Sequence, residues 1–257
     1  YRIYTTLGCN AKCPYCYQQG NAPISMSKKT ADSICEFIVE RMINGASLTI
    51  EWFGGEPLLN KEIIDYICNQ LTPICERNKI KFSSRMVSNG FLIDAEVVKK
   101  AINVWKLSQI QITLDGLKET YEIVKGFDES DSFEHVINNI RMLLENNIHV
   151  SVRLNYNQKN YEEILKLIDF LSDNFGVYTN FNIYAKKIMK KNLDNSVRAS
   201  EDSDLGILKR LLKNNLIKDV VNAIPRRDNT CIAHMLHAFM ILPDGKIGKC
   251  SQAISDG

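Results

Sequence analysis

The residues with the clearest chemistry are three cysteines near the N-terminus, Cys9, Cys13 and Cys16, which lie within eight residues of one another. A loop this short can wrap three thiolates around one inorganic centre. A structural zinc ion normally takes four protein ligands, and bacterial ferredoxins use a different spacing with a fourth cysteine. The next cysteine, Cys35, lies in a helical pattern. Three ligands therefore indicate a [4Fe–4S] cluster with one iron left open for a substrate or cofactor.

Further polar and glycine-containing motifs lie where the next predicted strands end. They are Gly54-Gly55-Glu56, Ser88-Asn89, Thr113-Leu114-Asp115 and Asn155. Glycines allow close approach of backbone to a ligand, and the polar side chains can bind one. Each motif also has a simpler interpretation as a turn or a strand-end cap. For Ser88, Asn89, Asp115 and Asn155 both interpretations stay open at this point.

The elements that position these motifs alternate between β-type and helical patterns. Strands are predicted over residues 1–7, 47–53, 79–87, 108–114, 148–155 and 177–184, with helices between them, two of which begin after the N-caps Ser27 and Asp94. Strands separated by helices predict parallel βαβ units with right-handed crossovers. Six units fit an α/β fold, a partial (β/α)6 TIM-like barrel over residues 1–185, whose chemistry lies after the strands' C-terminal ends.

The cysteine spacing C-x3-C-x2-C, with the aromatic Tyr15 before the third cysteine, resembles the signature of radical S-adenosylmethionine (SAM) enzymes. Gly54-Gly55-Glu56 resembles the family's Gly-Gly-Glu motif. Thr113-Leu114-Asp115-Gly116 resembles its Ser-x-Asp-Gly motif, with threonine in place of serine. The resemblance implies that Cys9, Cys13 and Cys16 ligate a [4Fe–4S] cluster whose open iron binds SAM.

The resemblance also implies which residues bind SAM. Gly54, Gly55 and Glu56 would accept hydrogen bonds from its amino group. The other candidates are Ser88 and Asn89 for the ribose, Asn155 for the ribose or carboxylate, Thr113 and Lys125 for the carboxylate, and Tyr15 and Asp115 as further cofactor-binding residues. For Lys125 the alternative is an ordinary surface lysine, and for Asp115 a cap on the following turn. No catalytic base is assigned.

A second cysteine pattern lies in residues 228–257, which we interpret as the start of a separate small module. Cys231, Gly245 and Cys250 form C-x13-G-x4-C around a Pro-Asp-Gly-Lys turn. This resembles the opening of the SPASM or twitch appendage, which binds auxiliary [4Fe–4S] clusters. The alternatives are a zinc-binding structural module using Cys231, His234, His237 and Cys250, or packing of these side chains. Because the remaining SPASM ligands would follow Gly257, we expect the chain to be truncated, and also at Tyr1.

Between these regions, residues 186–227 contain eleven Lys or Arg against five Asp or Glu and are predicted to form a basic helical linker. The whole chain has a formal net charge of only +2. The basic stretch lacks interleaved aromatics that could stack bases, so nucleic acid is not expected as a partner. The chain has no apolar run of roughly 20 residues, so a membrane is not expected either. Cys35, Cys68 and Cys75 are expected to be buried packing residues. Without a signal peptide, a cytoplasmic location with reduced thiols is expected.

The SPASM-like pattern implies a peptide or protein substrate. We predict a maturase that crosslinks a ribosomally made peptide through a thioether or C–C bond, with an acidic leader peptide and a flavodoxin or ferredoxin as partners. The alternative is an anaerobic sulfatase-maturing enzyme that makes formylglycine. Such enzymes carry an Asp base directly after the second appendage cysteine, where this chain has Ser251. Serine is a poor base, so the departure favours peptide crosslinking.

Overall fold

The computed structural model describes residues 1–18, Gly20, and residues 22–188, 201–217 and 237–249. The strands are β1 (Arg2–Thr6), β2 (Ser47–Gly54), β3 (Lys81–Ser88), β4 (Leu107–Leu114), β5 (His149–Tyr156), β6 (Phe181–Lys187), β7 (Met240–Ile241) and β8 (Ile247–Gly248). The helices are α1 (Lys28–Val39), α2 (Lys61–Arg77), α3 (Ala95–Asn103), α4 (Lys118–Lys125), α5 (Ser132–Glu145), α6 (Tyr161–Phe175) and α7 (Glu201–Lys213), with a short 3₁₀ helix at Pro57–Asn60.

The six predicted strands and the α/β class are confirmed. By hydrogen bonding, the strand order is β6-β5-β4-β3-β2-β1-β7-β8, and the sheet is not closed. The pairings β1–β2, β2–β3, β5–β6 and β1–β7 are parallel, whereas β7–β8 is antiparallel. Because the six long strands follow chain order, each βα unit adds one strand beside the previous one, as a partial barrel requires.

Local sequence signals account for several of these elements. The side chains of Ser27 and Asp94 accept hydrogen bonds from Thr30 N (3.1 Å) and Val97 N (2.7 Å), which confirms both predicted N-caps. Apolar side chains of the strands and the inner helix faces form the core. Its largest fully buried members include Trp52, Trp105, Tyr4, Tyr121 and Phe175. Cys35, Cys68 and Cys75 are buried, as predicted.

The chain divides into two compact units, and the division falls inside β4. The first unit comprises residues 1–10, Gly20, residues 22–110 and residues 237–249, and the second comprises residues 11–18, 111–188 and 201–217. The division at residue 185 expected from the sequence stays a prediction. The cysteine loop passes from the first unit to the second between Asn10 and Ala11.

One expectation about the later part of the chain needs correction. The sixth strand begins at Phe181 rather than at 177, because α6 continues to Phe175 and Val177 is exposed. It runs to Lys187, so it includes the start of the stretch expected to be a linker. In the described part of residues 228–257, β7 pairs with β1. The module expected there stays a prediction. Among the described residues, no helix has the length and apolarity needed to cross a bilayer.

Candidate active site

The cysteine loop begins directly after β1, and its three cysteines are not in disulfides. Cys9 is exposed, and Cys13 and Cys16 are half-buried. Cys13 and Cys16 are joined by a backbone turn, in which Cys16 N donates to Cys13 O (3.1 Å). Within the described ranges, no three His, Cys, Asp or Glu side chains are grouped as a metal site. The assignment of the cluster ligands therefore stays a prediction, and it depends on thiol chemistry and spacing, which fit an iron–sulfur cluster.

Gly54, the last residue of β2, packs against the end of β1, and Gly55 packs against the start of this loop. Gly55 N donates to Thr6 O (3.0 Å), and Glu56 N donates to Gly8 O (2.9 Å). A Cβ atom on Gly54 would lie 2.2 Å from Thr6 O, and one on Gly55 would lie 2.2 Å from Gly8 O. Gly54 also has φ +143°. The two glycines therefore allow the backbone after β2 to approach the backbone of Thr6 and Gly8 closely.

Glu56 is fully buried, and its carboxylate is hydrogen-bonded to protein groups. It accepts hydrogen bonds from Leu58 N (3.1 Å), Ser88 Oγ (2.9 Å) and Asn89 N (2.8 Å). A buried carboxylate needs such donors, because burial without them is costly. Glu56 thus caps the 3₁₀ helix and ties the end of β2 to the end of β3. Its contact with a SAM ammonium stays a prediction.

Asn89 extends this network to the cysteine loop. Its Nδ2 donates to Asn10 Oδ1 (2.7 Å) and lies 4.0 Å from Cys9 Sγ, while its Oδ1 accepts from Phe91 N (2.9 Å). The side chain expected to reach a ribose is therefore engaged with the loop that carries Cys9. Asn10 was not singled out from the sequence, since a lone asparagine in a loop carries no distinguishing signal.

In the second unit, Tyr15 lies at the centre of a separate network. Its hydroxyl donates to Asp115 Oδ1 (2.5 Å) and accepts from Asn155 Nδ2 (3.0 Å). Asn155 Oδ1 in turn accepts from Arg153 Nε (2.8 Å). Three residues predicted from separate motifs are thus brought together. Thr113, from the same strand-end motif as Asp115, is half-buried on β4.

Lys125 completes this network, and it is not a surface lysine. Its Nζ lies 2.9 Å from Asp115 Oδ2, and the two side chains are only 3% and 1% exposed. Burial disfavours the ammonium, but Asp115 and its neighbours outweigh that effect and raise the pKa of Lys125 well above 10.5. For the Cys13 thiol, burial raises the pKa because it disfavours the thiolate, and the nearby Lys125 ammonium partly offsets that rise. The ammonium expected to bind a SAM carboxylate is thus paired with Asp115.

Asn160 was also missed from the sequence, although an asparagine before a helix is a recognisable N-cap type. Its Nδ2 donates to Asp115 O (2.8 Å) and to Asn155 O (3.1 Å). One side chain at the start of α6 therefore fixes the backbone at the ends of both β4 and β5.

The second cysteine pattern is described only in part. Cys231, His234 and Cys250 lie outside the described residues. His237 is exposed, which does not agree with a packing role. Gly245 has φ +86° in the turn between β7 and β8, where Leu242 N donates to Lys246 O (2.9 Å). The predicted Pro-Asp-Gly-Lys turn is confirmed.

Among proteins of known sequence, the radical SAM cyclopropyl synthase TigE of Paramaledivibacter caminithermalis is 26% identical over 160 residues, which are 56% of this chain and 32% of that protein. A probable GTP 3′,8-cyclase of Archaeoglobus fulgidus is 23% identical over 97% of this chain and 84% of its own length. The chain thus spans only about a third of the length of the first relative.

Solved structures resemble the fold. Native anSMEcpe with bound AdoMet has a TM-score of 0.73 at 15% identity, covering 97% of this chain and 74% of that one. Streptococcus suis SuiB bound to precursor peptide SuiA has a TM-score of 0.64 at 18% identity, covering 99% of this chain and 60% of that one.

The sequence model of the Radical SAM superfamily matches residues 3–171, which include the cysteine loop and every strand-end motif described above. Because this match covers well over half of the 257 residues, the chain belongs to the Radical SAM superfamily.

Proposed function

We propose that this radical SAM enzyme acts on a ribosomally made peptide and crosslinks it through a thioether or C–C bond. Its family implies a [4Fe–4S] cluster and SAM as cofactors. When bound, they supply a 5′-deoxyadenosyl radical that abstracts a hydrogen atom. In this proposal Cys9, Cys13 and Cys16 ligate the cluster, and the strand-end motifs around the cysteine loop bind SAM.

The observation that carries the peptide proposal is the position of the turn after β7. Because β7 is parallel to β1 in register with Arg2 and Ile3, the chain leaves both strands at the same edge of the sheet. The cysteine loop follows β1, and the turn containing Gly245 follows β7. Gly245, the glycine of the C-x13-G-x4-C pattern, thus follows its strand at the edge from which the cysteine loop also starts. This position suits an appendage that acts together with the cluster.

Similar proteins support the proposal. SuiB has been solved with a precursor peptide and anSMEcpe with AdoMet and a peptide, and both folds cover nearly all of this chain. The basic composition of residues 186–227 suits an acidic leader. We also propose a flavodoxin or ferredoxin as electron donor and a reducing cytoplasmic location.

A second candidate is GTP cyclisation. The Archaeoglobus fulgidus relative, a probable GTP 3′,8-cyclase, aligns with nearly the whole chain and most of its own length. Formylglycine formation is a third outcome, favoured by the similarity to anSMEcpe but opposed by Ser251 at the expected base position.

Mass spectrometry after anaerobic turnover with SAM and a reductant separates these candidates. Three substrates are compared: a cysteine-containing peptide with an acidic leader, a sulfatase-derived cysteine peptide, and GTP. We expect the first to lose two hydrogen atoms for each crosslink. Formylglycine in the second peptide, or conversion of GTP, would contradict the proposal.

The auxiliary cluster has its own test. Cys231→Ala should spare formation of 5′-deoxyadenosine but abolish the crosslinked peptide, because an oxidative crosslink must dispose of an electron. Cys75→Ala, which changes a buried cysteine of α2, is the matched control and should retain both. Metal analysis that finds zinc in the wild-type protein, and no iron beyond one cluster, would instead favour a zinc-binding appendage.

A further inference from the structure

Tyr15 and Tyr17 lie two residues apart near the end of the cysteine loop, but their surroundings are very different. Tyr17 is 59% exposed, and its hydroxyl contacts only the neighbouring Gln18 among the hydrogen bonds described. The Tyr15 hydroxyl reaches residues a hundred or more positions away, Asp115 and Asn155. A hydroxyl with both a buried acceptor and a buried donor is fixed in orientation.

The strength of this anchor depends on charge. Asp115 is buried, so its carboxylate would be costly without a partner, and the Lys125 ammonium at 2.9 Å supplies one. A charged acceptor makes a hydrogen bond roughly twice as strong as a neutral one. The pair therefore gives Tyr15 a strong acceptor while adding no net charge.

The same elements also hold the loop backbone. Lys12 N donates to Lys125 O (2.6 Å), so the last residue of α4 contacts the loop through its carbonyl while its ammonium pairs with Asp115. Arg153 Nε donates to Asn155 Oδ1 and thereby turns Asn155 Nδ2 toward Tyr15. Contacts from β4, α4 and β5 thus converge on the segment that carries Cys13 and Cys16.

We propose that Tyr15 is a positioning residue that fixes the Cys13–Cys16 half of the loop in its ligating conformation, through the acceptor Asp115 and the donor Asn155. Lys125, 2.9 Å from Asp115 Oδ2, supplies the counter-charge of this buried acceptor. The inference rests on the proposed ligation of the cluster by Cys13 and Cys16, but not on the identity of the substrate. In this role the Tyr15 hydroxyl bonds to Asp115 and Asn155 rather than to SAM.

The test compares Tyr15→Phe with Tyr17→Phe, which remove one hydroxyl each from the same segment. In iron-loaded protein, we expect Tyr15→Phe to release iron to a chelator roughly ten- to a hundredfold faster than wild type, the equivalent of one charge-assisted hydrogen bond. In iron-free protein, amides of residues 11–18 should exchange hydrogen faster by mass spectrometry. Tyr17→Phe should match wild type in both measurements.

Non-additivity separates positioning from general destabilisation. Asn155→Ala removes the donor to the same hydroxyl, so the release rate of the double variant with Tyr15→Phe should not exceed that of the faster single variant. The inference would be overturned if Tyr15→Phe released iron at the wild-type rate. It would also be overturned if the fold-increases in release rate of the two single variants multiplied in the double variant. If the cysteines do not ligate iron, Cys13→Ala will keep the wild-type iron content and spectrum, a failure of the proposed function that is distinct from this one.

Discussion

Cys9 and Cys13 lie four residues apart on one loop, but the interactions that hold their surroundings differ in kind. On the Cys9 side, Gly54 and Gly55 pack against the backbone that leads into the loop, and Glu56 accepts from neutral donors. On the Cys13 side, a buried ion pair anchors Tyr15. One half is held by backbone shape and hydrogen bonds, and the other by paired charges.

These two kinds of interaction predict different sensitivities to substitution on the two sides of the loop. A hydrogen bond contributes modestly to stability, because water offers a similar bond in the unfolded chain. A buried ion pair can be nearly neutral as a pair, but removing one partner leaves an uncompensated charge. Single changes should therefore be more damaging on the Cys13 side, and paired changes less so.

The largest effect is expected from Asp115→Asn, which leaves the Lys125 ammonium buried without its counter-charge. The free energy of unfolding, measured in urea, should fall by about 3–5 kcal/mol. The double variant with Lys125→Met removes both charges and should recover much of that loss. A loss below about 1 kcal/mol for Asp115→Asn would show that the pair does not dominate this half of the loop.

Glu56→Gln tests the Cys9 side. The amide keeps one acceptor but turns its NH₂ group toward buried donors, so hydrogen bonds to a charged group worth about 1.5–3 kcal/mol are lost. Urea unfolding of this variant should show that loss. Glu40→Gln, whose side chain is 72% exposed, is the matched control and should unfold like wild type. Equal stability of both variants would mean that Glu56 does not hold the ends of β2 and β3 together.

Gly54→Ala separates backbone conformation from close approach. Gly54 and Gly45 both have positive φ, but a Cβ on Gly45 would meet nothing within 4 Å. Gly54→Ala should therefore destabilise the protein by about 1–3 kcal/mol more than Gly45→Ala, the usual range for overpacking. Equal losses in the two variants, measured by thermal or urea unfolding, would remove the steric argument.

The smallest effect is expected from Asp128→Ala, which breaks an exposed ion pair with Lys12 of the same loop. The two side chains are 64% and 82% exposed, so the loss should be below about 1 kcal/mol. A loss as large as that of Asp115→Asn would contradict the view that burial, rather than charge pairing itself, gives the Cys13 side its sensitivity.

Much of this arrangement could be predicted from the sequence, because periodicity and caps report local structure. Ser27 and Asp94 begin their helices as expected, and the motifs lie at strand ends. The strand pair β7–β8 was expected only as a hairpin of a separate module, since two residues per strand carry too little periodicity to show pairing with β1.

The directions of polar side chains could not be predicted. Lysine is almost never fully buried without a partner, so Lys125 gave no sign of burial. Its partner Asp115 is ten residues earlier, directly after β4, and Lys125 is the last residue of α4. Glu56 likewise contacts Ser88 and Asn89 only because β2 and β3 are neighbours. Such contacts depend on tertiary structure, which a motif does not encode.

The most direct test of the central claim is formation of 5′-deoxyadenosine by anaerobically loaded, reduced protein given SAM. Wild type should cleave SAM, as should Cys35→Ala, in which a buried cysteine outside the loop is changed. The triple variant Cys9→Ala, Cys13→Ala, Cys16→Ala should form no 5′-deoxyadenosine, because the loop is then without thiolate ligands. Reductive cleavage of SAM that persists in the triple variant would contradict the assignment of this loop as the cluster site.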